Sequence, residues 1–305
     1  MTVPLFITSG DMLADRRYAL ARDYAADGDL AAAADLYMQA AELAPGFSAA
    51  WFALGEAREA LGDRAGARAA FEKALAADPE DRHGAALHLA RLGAVDPATR
   101  ELHSYVRTLF DQYAPRFDRA LEDLGYRAPA LLRDALVTRA EGRRFGTMLD
   151  LGCGTGLVGA AFRPHVDWLV GVDLSSKMIE EARGKGVYDA LTVGDIAQFL
   201  AEQHAASASA DLVIAADVLA YIGDVGAVCA AVARVLAPNG LFGFTVETHA
   251  GEGAIVGVKM RYQHAPEFVR GAIANAGMTM RRLDAVSTRN ENRLPVPGLL
   301  AIAGR

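Results

Sequence analysis

Met148-Leu149-Asp150-Leu151-Gly152-Cys153-Gly154-Thr155-Gly156-Leu157 is the stretch whose reading decides the fold. An apolar run ends in an acid, three glycines alternate with other residues, and a helix-compatible run follows. This is the pattern of a strand entering a tight turn whose backbone lies against a ligand. Glycine has no Cβ, so it tolerates positive φ and lets a ligand approach the main chain. Asp150 puts a carboxylate where a strand should deliver buried apolar side chains. Such a group needs a cationic or hydrogen-bonding partner, and the glycines leave room for one.

Outward from this turn, apolar strands alternate with amphipathic helices. Strands are expected near 147–151, 168–172, 190–193, 211–215, 240–247, 278–287 and 299–303. Helices are expected near 176–183, 196–203, 225–236 and 266–276. Alternation of this kind predicts a doubly wound α/β fold, a mostly parallel seven-stranded sheet with helices on both faces. The last two strands have no helix between them, so an antiparallel hairpin is expected at one edge.

Ligands of such sheets bind beyond the carboxyl ends of the strands. Asp150, Gly152, Gly154 and Gly156 follow the first strand. Asp173 and Leu174 follow the second, where a carboxylate can accept both hydroxyls of a ribose. Asp195 and Ile196 follow the third, where an acid can accept from the amine of an adenine. Met178, one turn into the next helix, is placed to pack on the adenine face. Ala216 follows the fourth strand. For Asp173 and Asp195 the competing reading is a helix N-cap, and for Met178 ordinary core packing.

Gly154-Thr155-Gly156-Leu157-Val158-Gly159 also matches G-x-G-x-x-G, and Asp173 lies about 20 residues on, as a dinucleotide-binding turn requires. Three features argue against a dehydrogenase: the acid at Asp150, the extra Gly152 that makes the alternation G-x-G-x-G, and the Gly194-Asp195 pair.

Residues 147–248 resemble the class I S-adenosylmethionine-dependent methyltransferases. The resemblance is carried by LDLGCGTG, GVDLSSKMIEEAR, Gly194-Asp195, DLVIAADVLAYIGD and ARVLAPNGLFGFTVE. It implies S-adenosyl-L-methionine as cofactor, its amino acid end at the glycine turn. FDQYAPRFD, Phe110 to Asp118, resembles the helix that covers the cofactor in small-molecule methyltransferases, which adds Tyr113 to the candidate cofactor contacts. Lid helices are expected over about 99–140, within a methyltransferase domain of 96–305.

The first 95 residues have a different texture. An offset of about 34 residues, the period of the tetratricopeptide repeat, superimposes Gly28 on Gly62, Asp29 on Asp63, Tyr37 on Phe71 and Pro45 on Pro79. Residues 48–81 resemble that family closely, with Trp51, Leu54, Gly55, Gly62, Ala67, Phe71, Ala74 and Pro79 in its order. Residues 14–47 form a weaker copy, and a closing helix is expected near 81–92. The whole chain resembles a bacterial group of predicted methyltransferases that carry such repeats. For the repeats, a partner-binding surface competes with a structural or dimerising role.

Bulk properties narrow the function. The formal net charge is −7 with no long basic run, which argues against nucleic acid as partner. No apolar stretch approaches the roughly 18 residues of a membrane span, and MTVPLFITSGDM lacks the charged start of a signal peptide. Cys153 and Cys229 have no metal-ligand spacing, so no metal site and a reducing, cytoplasmic setting are expected.

The leading function is methyl transfer to a small-molecule acceptor at O, N or C. A protein methyltransferase whose repeats hold the target, and a non-catalytic cofactor-binding assembly factor, stand as alternatives. Ala216-Asp217-Val218-Leu219 stands where some amino- and glutamine-directed enzymes carry Asn-Pro-Pro-Tyr. Methyl transfer needs a base only if the nucleophile loses a proton as it attacks. Tyr221 and His264 are the candidate catalytic residues. Glu247, His249, Arg261, Tyr262, Arg289 and Glu291 lie near the expected acceptor pocket.

Overall fold

The computed structural model describes residues 8–94, 102–137 and 144–305. The chain divides into two compact units, Met1–Tyr105 and Val106–Arg305. The division falls later than the composition shift near residue 95. One local reason is the Tyr105 ring, which packs against Gly84 closely enough that a Cβ there would meet it at 2.8 Å.

The first unit contains α1 (Met12–Ala26), α2 (Leu30–Leu43), α3 (Ser48–Ala60), α4 (Arg64–Ala77) and α5 (Ala85–Arg91). The sequence period reappears as repeated geometry. Gly28 and Gly62 hold the same left-handed turn, at φ 85° and 83°. The following acids, Asp29 and Asp63, accept from the third backbone N–H beyond them, Ala32 and Gly66, and so cap α2 and α4. Gly55 is required because the Phe71 ring lies where its Cβ would be, at 2.5 Å. Tyr18, Tyr37, Phe47, Trp51, Leu54 and Phe71 fill the space between the helices.

The second unit opens with helices. α6 (His103–Tyr113) spans the division, and α7 (Phe117–Asp123) and α8 (Ala128–Val137) follow, separated by a 3-10 turn at Pro115 and by the Gly125 turn. These helices fall within the stretch 99–140 where lid helices were expected, and its ends, 99–101 and 138–140, lie outside the described residues. Then come β1 (Phe145–Leu151), α9 (Leu157–Phe162), β2 (Val166–Asp173), α10 (Ser176–Lys185), β3 (Ala190–Val193), α11 (Ile196–Ala205), β4 (Ala210–Ala215), α12 (Val225–Val235) and β5 (Leu236–Glu247). The chain ends with β6 (Ala254–Val256), β7 (Tyr262–His264), α13 (Pro266–Asn275), β8 (Thr279–Val286), β9 (Asn290–Glu291), β10 (Leu294–Pro295) and β11 (Gly298–Gly304).

The main sheet runs β3-β2-β1-β4-β5-β11-β8. β1 to β5 pair in parallel, and β11 inserts antiparallel between β5 and β8. The closing hairpin therefore lies at one edge. All seven expected strands are present. Short β6 and β7 add to the sheet beyond β5, and β9 and β10 pair separately. Side chains alternate between two cores. Leu149, Leu151, Val213, Ala215, Leu299 and Ala301 pack with α11, α12 and α13. Met148, Leu212, Ile214, Leu300 and Ile302 pack with α8 and α9. Strand order reverses between β1 and β4, which makes the carboxyl end of β1 the topological switch point.

Candidate active site

The glycine turn sits at that switch point. Gly152, Gly154 and Gly156 have φ of 65°, 54° and 93°, a region L side chains rarely adopt. A Cβ on Gly152 would also run into Val218, and Phe117 lies 3.7 Å from where a Cβ on Gly154 would stand. The turn is thus a cradle of bare backbone.

Asp150 is fully buried at the end of β1. One carboxylate oxygen accepts from the Tyr188 hydroxyl at 2.6 Å. The other, Oδ1, has no hydrogen-bond partner. Burial pushes the carboxyl up to about 7, opposed by the Tyr188 hydrogen bond and assisted by the charge of Asp173. A buried carboxylate with one unpaired oxygen fits a cationic group, and the bare turn beside it leaves space for one. These residues therefore suit the amino acid end of S-adenosylmethionine.

Sequence reasoning missed Tyr188, which comes from the loop before β3. Its hydroxyl also accepts from the Gly159 backbone N–H at 3.2 Å. A Cβ on Gly159 would collide with the phenol, and one on Gly171 would meet the ring at 2.9 Å. Gly159, the residue that completed the misleading G-x-G-x-x-G, thus makes room for the ring that holds Asp150. The excess of glycine around one point was the available signal.

Asp173 ends β2. Its two oxygens accept from the backbone N–H groups of Gly154 and Ser175, each at 2.9 Å. It does not cap α10; Ser175 does, accepting from Met178 N–H at 3.1 Å. Burial raises the Asp173 carboxyl above its ordinary value. Asp195 accepts from Gln198 N–H at 2.9 Å and is the N-cap of α11, as its competing reading required. Ile196 places its side chain in the main core, so only its backbone remains for a ligand. Met178 is fully buried, Leu174 is half-buried beside Asp173, and Ala216 is half-buried after β4.

The segment 110–118 is tied to the turn and to α10. Asp111 accepts from the Ser175 hydroxyl at 2.6 Å. Asp118 accepts from the Thr155 hydroxyl and pairs with Lys185 at 2.6 Å. Phe110 packs edge-on against Tyr221 at 5.2 Å between centroids, and Phe117 against Tyr113 at 5.7 Å.

Next to this lies an ion network that sequence reasoning found only as separate residues. Arg289 pairs with Asp217, Glu247 and Glu291; Arg261 pairs with Glu247 and Glu291. Thr288 donates to Asp217 at 2.8 Å, and the Thr245 hydroxyl donates to it at 2.7 Å. The three facing acids hold the Arg289 guanidinium well above its usual range against the penalty of burial, and the two guanidiniums lower Glu291. Tyr221 is hydrogen-bonded to Arg261, and burial raises its phenol.

The expectation of His264 as a base is corrected. The imidazole is fully buried, meets the Ile222 carbonyl through Nε2 at 3.2 Å, and stacks on Phe268. Burial lowers it to about 4, too weak a base to gain a proton near neutrality. Among the described residues no group of three or more His, Cys, Asp or Glu could hold a metal ion. No described helix is long and apolar enough to cross a membrane.

Residues 149–244 match a family model described as a methyltransferase domain, and residues 48–81 match one for the tetratricopeptide repeat. Human methyltransferase-like protein 27 is 31% identical over 183 residues, covering 59% of this chain and 68% of that protein. Magnesium protoporphyrin IX methyltransferase from Synechocystis, solved with S-adenosylhomocysteine, superimposes with a TM-score of 0.53 at 19% identity, covering 67% of this chain and 99% of the other. The 1,6-didemethyltoxoflavin N1-methyltransferase of Burkholderia thailandensis gives a TM-score of 0.53 at 17% identity, covering 69% and 93%. The bare turn, the acids at the strand ends and these likenesses agree: the chain belongs to the S-adenosylmethionine-dependent methyltransferases and carries tetratricopeptide repeats at its amino-terminal end.

Proposed function

We propose that this protein methylates a small-molecule acceptor. The observation that carries this reading is the tie of segment 110–118 to the glycine turn, through Asp118 to Thr155, and to the start of α10, through Asp111 to Ser175. A site roofed by its own chain suits an acceptor small enough to be enclosed. The two solved methyltransferases named above share the fold, and their acceptors, a magnesium protoporphyrin and 1,6-didemethyltoxoflavin, support the same class.

S-adenosylmethionine, when bound, supplies a methyl group on a sulfonium, already a good leaving group. Asp150 and the side-chain-free backbone of Gly152, Gly154 and Gly156 are assigned to its amino acid end, Asp173 to the ribose hydroxyls, and Asp195 with the Ile196 backbone to the adenine. Leu174, Met178, Ala216 and Tyr113 are assigned supporting contacts. The remaining work of the chain is positioning, a large term when reacting atoms are held in line. Tyr221, braced by Phe110 and Arg261, is assigned to the acceptor. His264 becomes a support for the Ile222 turn.

The repeats favour a second reading in one respect. They are a module suited to holding a protein chain, so the acceptor could be a protein. The two buried free thiols support a reducing, cytoplasmic setting. The test is to incubate the protein with methyl-labelled cofactor and either a metabolite extract or denatured lysate protein. Label in the small-molecule fraction is expected. Label only in macromolecules would favour the protein acceptor, and label in neither would favour a cofactor-binding factor.

A further inference from the structure

α7 closes on Gly125, which takes a left-handed φ of 64°, while the Tyr126 N–H reaches back to the Leu121 carbonyl. This is the glycine-closed end of a helix. Ala128 and Pro129 then open α8, so Tyr126 and Arg127 form a short link fixed at both ends. The link lies along the segment that leads into β9. The Asn290 N–H donates to the Leu124 carbonyl and the Arg127 N–H to the Thr288 carbonyl, each at 2.8 Å. The Arg127 guanidinium donates to the Ser287 carbonyl at 3.1 Å. These bonds bracket Tyr126 on one segment and Arg289 on the other.

The Tyr126 phenol lies within electrostatic reach of Asp217 and Arg289 at the end of β4, and of Asp150 at the end of β1. Its polar neighbours are already satisfied. Asp217 accepts from the Thr245 and Thr288 hydroxyls and from Arg289, and Arg289 spans three carboxylates. Tyr221 is hydrogen-bonded to Arg261. The half-buried Tyr126 has no side-chain hydrogen-bond partner among the described residues. Its hydroxyl is thus the polar group left over where the acceptor is expected. Burial and the charge of Asp217 push this phenol well above its ordinary value, Arg289 opposing and Asp150 assisting. Near neutrality it keeps its proton, so it serves as a donor and not as a base.

On the small-molecule reading above, we propose that the Tyr126 hydroxyl donates a hydrogen bond to the methyl acceptor and selects one that carries an oxygen or nitrogen with a lone pair to spare. The lone pair that attacks the methyl carbon is spent on the new bond, so the hydroxyl bonds a second lone pair or a second atom. An acceptor without one leaves the hydroxyl unpaired and is disfavoured. The link's bonds run to the segment that carries Thr288 and Arg289, and both of these close on Asp217 at the end of β4. That favours the acceptor over the cofactor as the hydroxyl's partner.

Tyr126→Phe in the full chain removes the hydroxyl and keeps the ring. The urea midpoint and the calorimetric affinity for S-adenosylhomocysteine should be unchanged. With methyl-labelled S-adenosylmethionine and a metabolite extract in serial dilution, the variant should need about tenfold more extract for half-maximal labelling of small molecules. Equal extract requirements in the two proteins would overturn the proposal. So would a weakened affinity for S-adenosylhomocysteine, which would give the hydroxyl to the cofactor, or a lowered midpoint, which would give it to the fold. A wild type that binds S-adenosylhomocysteine but labels no small molecule would sink the small-molecule reading, and this proposal with it.

Discussion

Asp150 concentrates the chemistry of the site in one carboxyl group. Burial and the nearby charge of Asp173 hold its proton to about 7, whereas in the unfolded chain it leaves near 3.8. The folded state thus binds more protons between those values, so this group costs stability as pH rises from about 4 to about 7. A cationic ligand reverses the preference. Cofactor affinity is expected to rise with pH, by up to about tenfold per unit, and to level above about 7. Calorimetric titration across that range checks this, and Asp150→Asn should flatten the profile. Gly152→Ala puts a Cβ into Val218 at a positive φ and should weaken cofactor binding about tenfold or more. Asp150, Asp173 and the glycines were legible because motif and strand period agree there. Tyr188 was not: a lone tyrosine in a loop has no pattern, and its role exists only once β1, β2 and α9 are assembled.

At the scale of elements, the site depends on two sets of ties. Asp111 near the end of α6 and Asp118 at the start of α7 hold these helices to the start of α10 and to the turn. Replacing both by Ala should raise the cofactor dissociation constant about tenfold, near 1.4 kcal/mol, with little change in the unfolding midpoint. Arg289 joins the ends of β4, β5 and β9 through three carboxylates. Arg289→Ala leaves Asp217 without its cation and Glu247 and Glu291 with Arg261 alone, and should cost about 3 kcal/mol, read by urea denaturation. The seven long strands were legible from their period. β6, β7, β9 and β10 were not, since two or three residues show no alternation. The Arg289 network escaped for another reason: its bonded members lie up to 72 residues apart, and the β4–β5, β5–β7 and β5–β11 pairings bring them together.

At the scale of the molecule, the order of the two units was legible because their textures differ, a 34-residue helical period followed by strand–helix alternation. The exact division was not, because Tyr105 joins the repeat unit by packing on Gly84 rather than by any feature of composition. The central claim is that acids at three strand ends, around a bare turn, hold the methyl donor. Calorimetric titration of the full chain with S-adenosylhomocysteine tests it most directly, comparing wild type with Asp173→Ala. The account predicts one site per chain in the wild type and a loss of about 10- to 100-fold in affinity in the variant, the worth of hydrogen bonds to a charged group. Equal affinity in the two proteins would contradict it.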